Sequence, residues 1–180
     1  MADYAGSKHG VAVDSCTSAL FLCFKRTGLR VVTVPKRTYI SVPMSAIHSG
    51  AKVRFEHEEW VGGYWIDNIF DGARRMHRGM YQGGFHCLSF HAKKHIPIGR
   101  GGMILTDSKS GAEWFRRARY DGRHPETPFM NDDVDMLGWN CYMTPEQAAR
   151  GLQLLSAIPD SLPDGSHVEY PDVSKMSVFA

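Results

Sequence analysis

No stretch of this chain is long and apolar enough to cross a bilayer. The longest apolar patch near its start, residues 19–24 (ALFLCF), falls far short of the roughly 20 residues a spanning helix needs, and no charged-then-apolar leader precedes it. Cysteine is scarce: Cys16, Cys23, Cys87 and Cys141 stand far apart without CxxC or CxxxH spacing. That pattern argues against a zinc module or a dense disulfide framework and suits reduced thiols packed as small hydrophobes. An excess of one charge is missing too. With 21 Lys and Arg against 19 Asp and Glu, the formal net charge is +2, which does not announce a nucleic-acid or membrane binder. The Gly99-Arg100-Gly101-Gly102 loop matches neither the GxxxxGK[ST] nor the GxGxxG nucleotide pattern. There is no internal repeat and no low-complexity tract. The expectation is a cytoplasmic protein, neither exported nor anchored, that binds neither nucleic acid nor membrane.

What is present suits one globular domain. A chain of 180 residues with 43% apolar and 22% charged content can bury a real core. Residues 11–13 read as a short strand, and the small polar cluster at 14–18 (DSCTS) turns the chain and caps a helix that begins near Thr17 and runs to Thr27-Gly28. Residues 31–34 are a second buried strand ended by Pro35. Residues 38–49 read as a helix closed by Gly50, and 52–55 alternate like a strand. Tyr64-Trp65-Ile66-Asp67 makes a strand ending in an acid, and residues 71–76 turn or begin a helix. Further helices are expected at 113–119 and at 145–157, where Pro145 follows Thr144 in a good first-turn position. This strand and helix alternation indicates an α/β domain over residues 1–158. Beyond Pro159 the Pro, Asp and Gly-rich run indicates an extended C-terminal tail, 159–180, and not a second domain.

The stretch SFHAKKHIPIGRGGMILTD, residues 89–107, carries the most chemical information. It follows the buried run 85–90, and a second apolar run at 103–106 lies beyond its glycine loop, so Lys93 and Lys94 fall at a strand mouth. A lysine there can meet a phosphate or, partly desolvated, attack a carbonyl as a neutral amine. The other strand ends offer a phosphate-ready helix start at 15–18, an aromatic (Tyr39), an acid (Asp67) and a hydroxyl (Ser89). Pyridoxal phosphate needs such a set: an amine to form a Schiff base, a carboxylate for its pyridine nitrogen, an aromatic against its ring, and N–H and hydroxyl donors for its phosphate. Taken singly, each has a plainer explanation: Thr17 and Ser18 as caps, Tyr39 as a core or surface aromatic, Asp67 as a cap. His86, His91 and His95 do not complete a metal-ligand set, and none is assigned.

Five stretches, KHGVAVDSCTSAL, PKRTYISVPMSAIHSGA, YWID, CLSFHAKKHIPIGRGGMILTD, and RYDGR with the later LGWNCYMTPEQAARGLQLL, together resemble the DegT-type sugar aminotransferases, pyridoxal-phosphate enzymes of the type I fold. The resemblance covers roughly residues 4–155. It implies a three-layer α/β/α sandwich with a mostly parallel sheet, like the large domain of that fold with its small C-terminal domain absent. By the same likeness Lys94, five residues after Ser89, is the Schiff-base lysine, and Asp67 pairs with the pyridine nitrogen. Tyr39 stacks on the ring, and Cys16 (through its backbone), Thr17, Ser89 and Asn140 hold the phosphate, Asn140 reaching across from a second subunit. The implied reaction moves an amino group from an amino acid, typically glutamate, to a nucleotide-linked keto-sugar, in a homodimer with shared sites.

The chain also departs from the family pattern. Three residues after its acid the family often places a glutamine that contacts the cofactor's phenolic oxygen; counted from Asp67 that position is Phe70. A slipped register would put Asn68 at the acid and Asp71 at the glutamine. The segment between the strand near Phe55 and the acid's strand is shorter than in the family. A non-catalytic or regulatory cofactor-binding relative and a pyridoxal-phosphate-dependent sugar dehydratase are therefore the alternatives. The tail from Tyr170 onward is expected to pack along the dimer.

Overall fold

The computed structural model describes residues 1–179. Five strands form the main sheet in the order β1-β7-β6-β5-β4: β1 (His9–Val13), β4 (Tyr64–Ile66), β5 (Ile69–Asp71), β6 (Phe85–Ser89) and β7 (Gly102–Thr106). A separate two-stranded sheet pairs β2 (Val31–Pro35) with β3 (Lys52–Glu56) in parallel through the helix between them.

Strand alternation divides the core into two faces. Cys87 of β6 and Ile104 of β7 point to the same side as Leu20, Cys23 and Phe24 of α2 (Cys16–Thr27) and Phe115 of α4 (Lys109–Ala118). Their neighbours Leu88 and Leu105 point the other way. There they meet Tyr4 and Ala5 of α1 (Ala2–Ala5), Ile96, Ile98, and Leu154 and Leu155 of α5 (Pro145–Leu155). Helices therefore cover both faces of the sheet, as the α/β sandwich expectation required.

The sheet itself is mixed, where a mostly parallel one was expected. The β1–β7, β6–β7 and β4–β5 pairs are antiparallel, and only β5–β6 and β2–β3 are parallel. The cause is local. The β6–β7 connection is laced into a wide hairpin by Phe90 N–H to Gly101 O (2.9 Å) and Ala92 N–H to Gly99 O (3.0 Å), so the chain returns antiparallel with no crossover helix. The β4–β5 turn is tight: Asp67 takes a left-handed conformation, φ 55°, which Asp tolerates better than most side chains. The strand expected at 64–67 thus ends one residue earlier, and a further strand, β5, follows, so that Asp71 closes a strand where a turn or helix start was expected.

The helix boundaries follow their caps. Ser15 accepts a hydrogen bond from Ser18 N–H at the start of α2, and Gly28 closes it with φ 66°. α5 begins with a capping box between Thr144 and Gln147 and carries a proline in its first turn. The helix expected at 38–49 begins only at Ser41 as α3 (Ser41–Ser49), leaving Thr38 and Tyr39 in the approach to it. All four cysteines are free thiols, Cys23 and Cys87 among them fully buried. Among the described residues no helix is long and apolar enough to cross a membrane, and no group of metal-ligating side chains forms.

Residues after Pro159 run back over their own chain. Arg78 N–H donates to Asp160 O (2.7 Å), Leu162 N–H to Met76 O (3.2 Å), Gly165 N–H to Arg74 O (3.1 Å) and Val173 N–H to Lys36 O (2.8 Å), and Val173 is buried. Residue 180 of the expected tail lies outside the described residues.

His86 is a titratable side chain enclosed by this packing. It is 1% exposed, with the rings of Trp65, Phe70 and Tyr81 at 5.4, 4.8 and 4.8 Å, and its Nε2 accepts from Gln82 N–H at 3.4 Å. Burial, helped by the charge of Arg75, holds its pKa down to about 4. An unfolded histidine titrates near 6.5, so between these values the unfolded chain binds more protons and stability falls with falling pH. Urea midpoints of the native chain should drop between pH 7 and pH 4.5, and those of His86→Phe should drop less. Equal slopes would remove His86 as a source of acid sensitivity.

Candidate functional site

Burial makes three strand ends converge on one cavity of about 730 Å³. Asp71 ends β5 and Ser89 ends β6, side by side in the parallel pair; β2 delivers Thr38 and Tyr39; and the start of α2 supplies Ser15, Cys16, Thr17 and Ser18. Lys94, Lys93, His91 and Arg100 enter from the β6–β7 connection, and Arg74 from the turn after β5.

At one end the cavity is built for an anion. The first turn of α2 presents backbone N–H groups and the hydroxyls of Ser15, Thr17 and Ser18, a favourable setting for phosphate. Thr17 Oγ1 donates to Ser41 Oγ (2.8 Å), tying this turn to α3. The first residue of β7 passes hard against the same turn. A Cβ on Gly102 would lie 2.4 Å from the Ser15 carbonyl carbon and 2.6 Å from Cys16 N, and backbone atoms cannot swing aside. Gly102→Ala is therefore expected to lower stability by about 1–3 kcal/mol, the usual cost of overpacking, read as a lower urea midpoint; an unchanged midpoint would show that the turn yields.

At the other end stands a buried carboxylate. Asp71 is 6% exposed; its Oδ1 accepts from Ala73 N–H (3.1 Å) and its Oδ2 from the Tyr64 hydroxyl (3.0 Å). That hydroxyl shares a 2.5 Å hydrogen bond with Thr38 Oγ1. Cys16 Sγ approaches Oδ1 at 3.9 Å. Burial pushes the Asp71 carboxyl above the usual carboxylate range, with the Ala73 and Tyr64 hydrogen bonds and the charge of Lys94 opposing. Such a group gains from a cationic N–H partner. Burial first, then the charge of Arg74, hold the Lys94 amine below its ordinary value, partly offset by Asp71, Cys16 and Glu169. A depressed lysine is neutral more often near pH 7 and so better able to attack a carbonyl.

Cys16, Thr17, Tyr39, Ser89 and Lys94 all line the cavity, although Tyr39 is 58% exposed. Asp67 does not. It is exposed at the β4–β5 turn, and the buried carboxylate that lines the cavity is Asp71, which corrects the expectation: the chain makes one more short strand before delivering its acid. Counted from Asp71, the position three residues on is Arg74, a cavity residue, whereas Phe70 packs against Trp65 and His86. The alternative of Asn68 as the acid is likewise not seen, since Asn68 is exposed beside Asp67 in the same turn. Asn140 lies outside the cavity of its own chain, exposed and donating to Asp121 Oδ2 (3.1 Å). Tyr64, Arg74, Trp60, Glu169 and Tyr170 also line the cavity; of these only Arg74, in the basic cluster with Arg75 and Arg78, reads from the sequence as a candidate for an anion site. The acid at the head of Asp71-Gly72-Ala73 was a readable signal, but Glu169 and Tyr170 lie in what reads as a tail and carried none.

The sequence model of the DegT/DnrJ/EryC1/StrS aminotransferase family matches residues 1–57 and 74–163. The chain belongs to this family. Its curated relatives include the spore coat polysaccharide biosynthesis protein SpsC of Bacillus subtilis, 27% identical over 88% of this chain and 55% of that protein. GDP-perosamine synthase of Caulobacter vibrioides is 28% identical over 89% of this chain and 56% of that protein. The chain thus spans about half the length of the curated relatives it matches. Among solved structures, the Streptococcus pneumoniae putative sugar aminotransferase Spr1654 in its PLP form superposes with a TM-score of 0.73 at 18% identity, covering 88% of this chain and 57% of that one. Helicobacter pylori PseC, an aminotransferase of pseudoaminic acid biosynthesis, superposes with a TM-score of 0.71 at 18% identity, covering 86% of this chain and 55% of that one. These likenesses show the type I fold over the stretch that the chain covers. Residues 58–73, which carry Trp60, Tyr64 and Asp71, fall between the two matched stretches of the family.

Proposed function

We propose that the cavity holds pyridoxal phosphate and that the chain acts as an aminotransferase on a sugar. The observation that carries this reading is the convergence of Lys94, Asp71 and the first turn of α2 on one cavity. The donor set fits the cofactor: hydroxyls and N–H groups at one end, a buried carboxylate short of a cationic partner at the other, and a partly desolvated amine between strand ends. When bound, pyridoxal phosphate supplies a ring that draws electrons away from the substrate carbon.

Each residue then has a task. The amine of Lys94 is the covalent anchor and, once displaced by an amino donor, carries a proton to and from the substrate carbon. Asp71 keeps the ring nitrogen protonated, and the Tyr64 hydroxyl holds Asp71 in position. Cys16 N–H, Thr17 and Ser89 hold the phosphate, and Tyr39 covers the ring. Asn140 completes the phosphate site of a second copy, so that the working unit is a homodimer. Glutamate as donor, a nucleotide-linked keto-sugar as acceptor and a cytoplasmic setting complete the proposal.

The test is spectroscopic. Pyridoxal phosphate added to the protein should give a visible absorbance band that L-glutamate then discharges. A band that forms and ignores every amino donor would favour the second reading, a cofactor-binding relative without turnover; the position of Asp71 outside the matched stretches is the observation on that side. No band at all would overturn both.

A further inference from the structure

The cavity contains a charge pair that the proposed chemistry leaves unused. Arg74 lines the wall between Asp71 and the C-terminal segment, and its Nη2 bonds Glu169 Oε2. Glu169 comes from the segment that crosses the mouth. That segment is tied down by Gly62 N–H to Gly165 O (2.7 Å), Gly165 N–H to Arg74 O (3.1 Å) and His167 N–H to Trp60 O (3.1 Å), and by the Arg75–Asp164 pair at 3.0 Å. It continues into Tyr170, whose ring packs on Trp60 with centroids 5.7 Å apart. The family match ends at residue 163, short of Glu169.

Arg74 is mostly enclosed, its side chain 20% exposed, whereas Glu169 is 45% exposed. The Arg74 Nε is buried without a hydrogen-bond partner. Glu169 Oε1 is also held, accepting from Ser166 N–H at 3.3 Å, and the charges of Arg74 and Lys94 both act on its carboxylate. A carboxylate on a tether thus occupies a guanidinium of the cavity wall whose charge reaches the Lys94 amine. A planar guanidinium recognises carboxylates through two parallel N–H bonds, so a free carboxylate of the right reach would compete for the same place.

We propose that Arg74 is the residue that recognises the carboxylate of the amino-acid donor, and that Glu169 holds its place until the donor displaces it. This rests on the reading of the cavity as an aminotransferase site, and it assigns the donor side of that site to Arg74. A tethered competitor works at a local concentration of order millimolar, so removing it should tighten a weak carboxylate ligand about tenfold.

Glutarate is the probe, because it has two carboxylates but neither amine nor carbonyl to react with cofactor or lysine. Calorimetry on the full chain without cofactor should show Glu169→Gln binding glutarate about tenfold more tightly than the native chain. The double variant with Arg74→Gln should lose that gain, and Glu59→Gln, the same charge change at an exposed position outside the cavity, should show none. Equal affinity in Glu169→Gln and the native chain overturns the proposal, as does a gain that survives Arg74→Gln or appears equally in Glu59→Gln. The visible band with pyridoxal phosphate is read separately. If it fails while the glutarate pattern holds, the cofactor reading falls and the carboxylate subsite stands; if it forms and the glutarate pattern fails, the reverse is true.

Discussion

Replacing Lys94 with Ala is expected to abolish the visible band that pyridoxal phosphate forms with the native chain, and with it all detectable exchange with an amino donor. Lys93 also lines the cavity but is exposed, so Lys93→Ala should keep the band. The two lysines differ in surroundings. Burial and the neighbouring charge of Arg74 lower the Lys94 pKa, and both disfavour the ammonium form. Capture of an aldehyde needs the neutral amine, so its rate should rise with pH and reach half its maximum below the ordinary lysine value of about 10.4. A native profile centred on that ordinary value, or a band that persists in Lys94→Ala, would remove Lys94 from the role.

A second large effect separates two acids that stand four positions apart. Asp71→Asn should weaken binding of pyridoxal phosphate about tenfold to a hundredfold, the range expected for a lost charge-assisted hydrogen bond of about 1.5–3 kcal/mol. Asp67→Asn should leave affinity within about twofold, because its side chain is exposed at a turn, and surface changes are usually within about 0.5 kcal/mol. Neither variant is expected to unfold the chain. Asn also accepts the left-handed backbone of position 67, and at position 71 the amide oxygen can still accept the Tyr64 hydroxyl while no buried charge remains. Titration of absorbance for affinity, with urea midpoints for stability, decides the matter. Equal losses in both variants, or a loss at 67 alone, would restore the earlier assignment.

Much of the scaffold was legible because its signals are local. Ser15 and Gly28 bracket α2, Thr144 and Pro145 open α5, and the apolar runs at 31–34, 85–90 and 103–106 fold as the strands 31–35, 85–89 and 102–106. Strand direction is not a local property. The β6–β7 hairpin depends on hydrogen bonds across a glycine-rich loop, and no pattern within either strand announces it. The acid is hidden for the same reason: Ile69-Phe70-Asp71 is three residues long, too short to show alternation, so the sequence pattern ends at the strand read over 64–67 and its Asp67. Lys94, Ser89 and Thr17, which the family resemblance picks out in two separate stretches, all line the cavity. Glu169 is not picked out, since it meets Arg74 across 95 positions of chain, a distance over which sequence pattern is silent.

Among the described residues, the smaller sheet, β2 with β3, shares no backbone ladder with the larger one. Side chains stitch the two, Thr38 to Tyr64 and Val34 among the core residues around α2, and the cavity straddles the seam with Thr38, Tyr39 and Ser41 on one flank and Asp71, Ser89 and Lys94 on the other. Whatever fills that gap fastens two bodies that the peptide hydrogen-bond network leaves apart. Affinity for the occupant must then reappear as resistance to heat, growing with the logarithm of its concentration.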